Sequence, residues 1–413
     1  MSLIRPFAGL RPAAGRAADV AAPPYDVLSS EEARQRAEGK PWSFLHVSKP
    51  EIDLTPGTDP YSPAVYAKAA ENLGDMIAQG VLVRDDQPCL YVYRLATGDV
   101  VQTGLVAAGS LAEYDSNRIR KHELTRPEKE DDRVRQIEAL NAQTGPVLLA
   151  YPDAAQVDAM LASAAAGDPD SDVVADDGVR HSIWVIRDPG TIERLVTLFE
   201  AMPALYIADG HHRSAAASRV AAARRSANPA STGDEDYNYF LVVAFPESEM
   251  RILPYNRAVR DLNDMTGEEF RAHIVERFEI QPSSTPVSPE TPRTFGLYLQ
   301  GAWYRLAIRP KYIREQDPIA RLDVSLLADN LLAPILDISD PRRDERIEFI
   351  GGIRGLSELE RRVDSGEMAC AFSVHATSMR DLMVVADANE VMPPKSTWFE
   401  PKLADGLVSL QLD

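Results

Sequence analysis

Lysine is scarce in this chain: only 8 of its 44 basic residues are lysine, so nearly every cation is a guanidinium. Cations as a whole are also short, 44 against 63 acidic residues, for a formal charge of −19 at pH 7. A field of that sign repels nucleic acid and anionic lipid, because both are held by cationic neutralisation of phosphate. Duplex DNA and membrane surfaces are therefore disfavoured as partners. Cysteine is nearly absent, with Cys89 and Cys370 alone among 413 residues and no Cys-x-x-Cys. Two thiols cannot staple so long a chain or supply a zinc-finger spacing. Both lie in apolar, strand-like runs and read as buried thiols in a reducing cytoplasm. No apolar run approaches the roughly 18 residues of a membrane span, and the Met1–Pro6 stretch lacks the apolar run of a signal peptide. What is present is globular material, 45% hydrophobic and 26% charged, enough for two or three domains.

Helical and strand-like segments interleave along the chain, so the class is α+β (mixed α/β). Ser29-Ser30-Glu31-Glu32 opens a helix, since serine caps and acids suit a first turn. Pro63 to Gln79, Pro127 to Asn141, Ala154 to Ala166, Ile192 to Glu200, Ser325 to Leu332 and Ser378 to Ala388 also read as helices. Strands are expected at Cys89–Leu95 and Val101–Ala108 around a Thr97-Gly98-Asp99 turn, then at Pro146–Tyr151, Leu205–Ala208, Tyr239–Phe245 and several later runs. The stretch after Ala166 up to Gly178 and residues 227–236 read as polar loops, and Pro282 to Pro292 as a linker. Phe44-Leu45-His46-Val47 alternates like a strand, with His46 a satisfied, half-buried histidine. These features suggest three regions: 1–200, carrying Lys121-His122-Glu123; 201–285, carrying Asp209-Gly210-His211-His212-Arg213; and 286–413, ending in Met392-Pro393-Pro394-Lys395-Ser396-Thr397.

The sharpest local signal is Ala208-Asp209-Gly210-His211-His212-Arg213, where an apolar strand gives way to a helix expected from Ser214. Such a junction presents free backbone N–H groups and the positive end of the helix dipole, which together hold anions. Gly210 permits a tight turn, and Arg213 offers a planar fork to phosphate oxygens. Adjacent histidines diverge, so one at most shares a ligand face; simple capping and packing remains the plainer reading. His-His with one Asp gives no i, i+4 metal pair. A second window, Arg118 to Arg133, concentrates cations (Lys121, Arg126, Lys129, Arg133) around His122 and Glu123, or is a solvated basic face. A third, Met392 to Lys402, sets Lys395, Ser396, Thr397 and Lys402 behind two prolines, or is a rigid turn. Four of the eight lysines fall in 121–129 and 395–402. An ammonium is a compact charge able to follow a moving phosphate. Leu253-Pro254-Tyr255-Asn256-Arg257 offers Asn256 and Arg257 as a carboxylate clamp for an amino-acid substrate, or is a strand-end turn.

Together with Pro23-Pro24-Tyr25-Asp26-Val27, these motifs resemble a large bacterial and archaeal family of unknown function, often labelled ParB/SpoOJ-like, over nearly the whole chain. The Asp-Gly-His-His-Arg turn alone is similar to that of the ParB/sulfiredoxin superfamily, which includes free-serine kinases. The resemblance implies a ParB/sulfiredoxin-like nucleotide-binding core with additional α+β domains. It implies ATP or ADP with Mg²⁺ as cofactors, and nucleotide plus a small hydroxyl metabolite, free L-serine first, as ligands of a cytoplasmic phosphotransferase. Sulfinic-acid reduction is not expected, because the turn lacks a cysteine; nor is DNA binding, because no basic helix pair follows. On this reading Gly210, His211, Arg213, Ser214, Lys121, His122, Arg126, Lys129, Arg133, Lys395, Ser396, Thr397 and Lys402 bind nucleotide and phosphate. Glu123 or Asp209 acts as base, Asp209 binds the metal, and His212 donates to the transferring group. Arg213→Ala is then expected to abolish activity with little change in thermal midpoint. Two alternatives stay open: a nucleotide-gated regulatory protein without turnover, and a metal-assisted hydrolase on His122, His211, His212 and Asp209.

Overall fold

A computed structural model describes residues 2–412. The fold is mixed α+β, and its contacts divide the chain into a first unit, Met1–Met250 with Pro401–Asp413, and a second, Arg251–Glu400. The second unit is thus an insertion, delimited by positions 250 and 400 rather than by the composition changes near 200 and 285. Among the described residues no helix is long and apolar enough to cross a membrane.

The first unit is built on a mixed sheet. Its strands run in the order Ile119–Arg120, Leu205–Asp209, Val147–Tyr151, Tyr239–Pro246, Val100–Ser110, Leu90–Thr97, Arg180–Ile186 and Ser171–Val174, with Ile4–Arg5 added against Val100–Ser110. Tyr239–Pro246 and Val147–Tyr151 pair in parallel and are buried along their whole length, as their unbroken apolar runs require. The antiparallel pair Leu90–Thr97 and Val100–Ser110 closes through the expected tight turn, with Thr97 opposite Val100. Helices Pro127–Leu140 and His211–Ala227 pack on each other, and Pro63–Ala78 packs on the former. The helix His211–Ala227 buries Ala216, Ala217, Val220 and Ala221; these small side chains permit a close approach. Residues 401–412 return to this unit. Ala22 and Asp405 exchange backbone hydrogen bonds, and Leu410–Gln411 pairs with Ala142–Gln143.

The second unit is a six-stranded antiparallel sheet. The order is Phe278–Ser283, Ala302–Ile308, Thr294–Leu299, Cys370–Val374, Tyr255–Val259 and Ile347–Gly351. Phe270, Phe278, Phe295, Leu306, Leu327 and Phe372 are among the buried side chains of its core. Ile252–Leu253 pairs with Trp398–Phe399, so the unit's two ends lie side by side.

Several local expectations change. Phe44, Leu45 and Val47 are all buried, and Leu45–Ser48 is a helical turn rather than a strand, since Phe44 and Val47, three apart, share one helical face. His46 is satisfied by Asp53 at 2.8 Å and the Lys40 carbonyl at 3.1 Å. The polar stretch before Gly178 contains the edge strand Ser171–Val174, its Asp-Gly run being the hairpin turn to Arg180. Pro282 lies in an edge strand, where its missing N–H is tolerated, so 282–292 is no linker between domains. Asn256 and Arg257 sit inside a strand with partners on both sides, not at a strand end. Both cysteines are free and buried.

Candidate functional site

The register of Leu205–Asp209 against Val147–Tyr151 slips between Ile207 and Asp209, a bulge that re-aims the end of the strand. Gly210 follows at φ 99°, in the left-handed region, and the helix begins at once with His211. A Cβ on residue 210 would stand 3.3 Å from the Val147 Cα, so this turn needs glycine. The helix therefore starts three residues earlier than expected, because glycine in this conformation can itself serve as the cap. His211, His212 and Arg213 form its first turn, and among the described residues no side-chain cap holds the N–H groups there.

Around this turn the first unit gathers residues distant in sequence. Lys402 Nζ lies 3.0 Å from Asp209 Oδ2, and Arg213 reaches Asp209 Oδ1 at 3.9 Å and Asp26 Oδ2 at 3.5 Å. Burial opposes a charge on Asp209, but Lys402 and Arg213 outweigh it and hold the carboxyl far below its ordinary range. The Arg213 fork also donates to the Pro146 carbonyl, so its donors are engaged within the protein. Asp405, 2% exposed, faces the same guanidinium; burial pushes its carboxyl up to about 7, against the pull of Arg213. Arg133 stacks 3.9 Å over the Tyr25 ring and binds Asp132 at 2.7 Å, and Tyr66 donates to Asp132 at 2.8 Å. Burial pushes the Tyr25 phenol up to about 12.

The histidines separate as adjacent helical residues must. His211 turns inward against His122, the rings edge to face with centroids 4.5 Å apart. His211 Nε2 accepts from the His122 backbone N–H at 3.4 Å, and His211 Nδ1 lies 3.8 Å from Glu123 Oε2. Neither ring nitrogen of His122 has a hydrogen-bond partner among the described residues, although the ring is 2% exposed. Burial pushes His122 down to about 4 and holds His211 well below its ordinary value, so both imidazoles are neutral. His122, Glu123 and His211 present ligand atoms all within 4.8 Å of one another, a grouping that sequence spacing concealed. His212 turns the other way, its Nε2 accepting from the Arg126 N–H at 3.1 Å.

The remaining expected residues are distributed as follows. Lys121 Nζ lies 4.0 Å over the Tyr114 ring, and burial pulls its ammonium down from the ordinary value. Lys129 donates to the Tyr61 hydroxyl at 2.8 Å. Ser214 is fully buried, its hydroxyl donating to the His211 carbonyl at 3.0 Å, so it is not a phosphate ligand. Lys395, Ser396, Thr397, Asn256 and Arg257 belong to the second unit. There Ser396 is buried and donates to the Pro393 carbonyl, and Asn256 Oδ1 accepts from the Val374 N–H at 3.2 Å. Sequence reasoning missed Asp405, and gave Asp132, Tyr25 and Asp26 no role beyond their motifs. Asp405 carries no local signal, being one carboxylate in an acidic chain. Pro23-Pro24-Tyr25-Asp26 was visible as a fixed turn, but nothing in it showed that Asp26 meets Arg213.

The donor sets also test the expected metal. Magnesium favours oxygen ligands, whereas His122–Glu123–His211 is an imidazole-rich set suited to zinc or iron. At Asp209, where Mg²⁺ was expected, Lys402 already holds a carboxylate oxygen. The residues present do not fit Mg²⁺.

Three solved structures resemble the chain in part. A conserved hypothetical protein from Pyrococcus furiosus is 13% identical, over 73% of this chain and 94% of that one, with a TM-score of 0.33. A free serine kinase in complex with AMP is 14% identical, over 76% and 95%, with a TM-score of 0.34. A C-terminally truncated SbnI from Staphylococcus aureus is 11% identical, over 72% and 84%, with a TM-score of 0.38. No curated protein matches the chain. The family described as protein of unknown function (DUF1015) matches residues 4–325, so the chain belongs to that family.

Proposed function

We propose that the first unit is a nucleotide-dependent phosphotransferase acting on a small hydroxyl metabolite, with free L-serine the first candidate from the sequence resemblance. The observation that carries this reading is the meeting of four separate segments at one uncapped helix start: residues 25–26, 121–133, 209–213 and 402–405. Phosphoryl transfer needs positioning and neutralisation of charge more than covalent chemistry. The first-turn N–H groups of His211, His212 and Arg213 receive phosphate oxygens, and Lys402 supplies an ammonium group beside them. Glu123, the more exposed carboxylate, takes the substrate hydroxyl proton. Asp209, held ionised by its cations, is a poor base and serves instead to fix Lys402. Any Mg²⁺ enters on the nucleotide rather than on Asp209.

The test is a thermal-shift screen of AMP, ADP and ATP with and without Mg²⁺, then incubation with serine and detection of phosphoserine. A chain indifferent to every nucleotide overturns the proposal. One observation favours a second reading, metal-assisted hydrolysis: the unpartnered His122 ring beside His211 and Glu123. Stoichiometric zinc or iron in the purified protein, lost in His122→Ala, together with no nucleotide response, selects that reading.

A further inference from the structure

The second unit lines a cleft, open to solvent, of about 850 Å³. Two motifs left out of the first site, 253–257 and 392–397, meet at its wall through Arg257, Pro393 and Pro394. Arg257 is 4% exposed, yet among the described residues no carboxylate lies within ion-pair distance of it. Its guanidinium donates to two backbone carbonyls, those of Tyr255 and of Lys395 (3.1 Å), and lies 4.7 Å over the Phe349 ring, which also lines the cavity. Two bonds leave three of the five guanidinium N–H donors for something else. A buried, unneutralised cation is costly unless an anion joins it. Burial correspondingly lowers the proton affinity of Arg257, with no carboxylate opposing it.

A second atom is unmatched on the same wall. Ser325 is 6% exposed and its Oγ has no hydrogen-bond partner among the described residues. It stands at the head of a turn that widens into a π-helix over Ala328–Leu332, with Ala333 N–H bonded to the Ala328 carbonyl. Ile319, Val324 and Leu332 give the cavity an apolar side. Four acids also line it: Asp340 holds Arg342 at 2.8 Å and Asp317 accepts from the N–H groups of Ile319 and Ala320, while Asp329 and Glu390 share the lining with Arg314.

We propose that this cavity binds a small organic anion, a carboxylate or phosphate monoester on an apolar body, with Arg257 and Ser325 holding its charged oxygens. The experiment is saturation-transfer NMR on the full chain with hexanoate, hexyl phosphate and the neutral hexanol as probes. Binding of either anion at least tenfold tighter than hexanol is expected, and the preferred anion identifies the headgroup. Equal binding of hexanol, or no binding of either anion, overturns the proposal. Arg257→Gln is expected to weaken the bound anion at least tenfold, and undiminished binding by a folded Arg257→Gln also overturns it. Should that variant fail to fold by circular dichroism, Ser325→Ala and Ala328→Trp carry the test. Severalfold loss in the first and blockage in the second are expected; unchanged binding in both refutes the site.

Discussion

Arg213 shows how a residue's chemistry depends on what folds against it. From sequence its fork was free for phosphate and Arg213→Ala harmless to folding. In the structure its side chain is 11% exposed between Asp26 and Asp209. Removing it takes the cation from Asp26 and leaves Asp209 with Lys402, a loss of about 2 kcal/mol after allowing for partial exposure. Urea denaturation of Arg213→Ala measures it, and an unchanged midpoint would restore the simpler role. His122 sets a pH dependence. Its folded value of about 4 lies below the ordinary 6.5, so the unfolded chain takes up a proton first as the pH falls. Stability is therefore lost from about pH 6.5 downward, by about 2 kcal/mol at pH 5. His122→Phe is expected to make this limb shallower, with His211 supplying what is left, in urea titrations at pH 7.5 and 5. Asp405 works in the other direction. With a folded value of about 7 against an ordinary 3.8, it keeps its proton longer in the folded chain, and this advantage is lost as pH rises through 7. Asp405→Asn should then stabilise more at pH 8 than at pH 5, by on the order of 2 kcal/mol. These residues were legible as chemical types, but not as partners, because ion pairs between positions 26, 209, 213 and 402 leave no local trace.

Elements were read more fully than contacts. The helix at Ser30–Ala37 followed from Ser29 and Glu32, which form a reciprocal capping box. Ser29→Ala should cost about 1 kcal/mol. The long apolar strands and the helix Pro127–Leu140 likewise followed from periodicity. The helix His211–Ala227 was misplaced at its start because its cap is a left-handed glycine with no oxygen to signal it. Gly210→Ala tests that start: strain at φ 99° and the crowding on Val147 should cost about 1–3 kcal/mol, read as a lowered thermal midpoint. Short elements rich in polar residues, such as Ser171–Val174, were hidden because their turn residues dominated the pattern.

At the scale of the whole molecule, the division into an outer and an inserted unit left little mark in composition. Pro393, Pro394 and Pro401 flank position 400, but no comparable run stands at 250, and a pair of two-residue strands closes the inserted unit. Because that pairing closes the inserted unit on itself, a fragment of residues 251–400 is expected to fold alone. Circular dichroism and a single cooperative melt of the fragment test this; a featureless melt would mean that it depends on the rest. The same topology orders events at the ribosome. The ammonium that balances Asp209, and the aspartate that faces Arg213, belong to a stretch translated only after the whole inserted unit. A nascent chain therefore exposes Asp209 without the Lys402 ammonium, with Arg213 as its neighbouring cation, until the 192 residues between positions 209 and 402 have been made. Premature stops before position 401 should leave a protease-sensitive 209–213 loop however well the earlier segments have assembled.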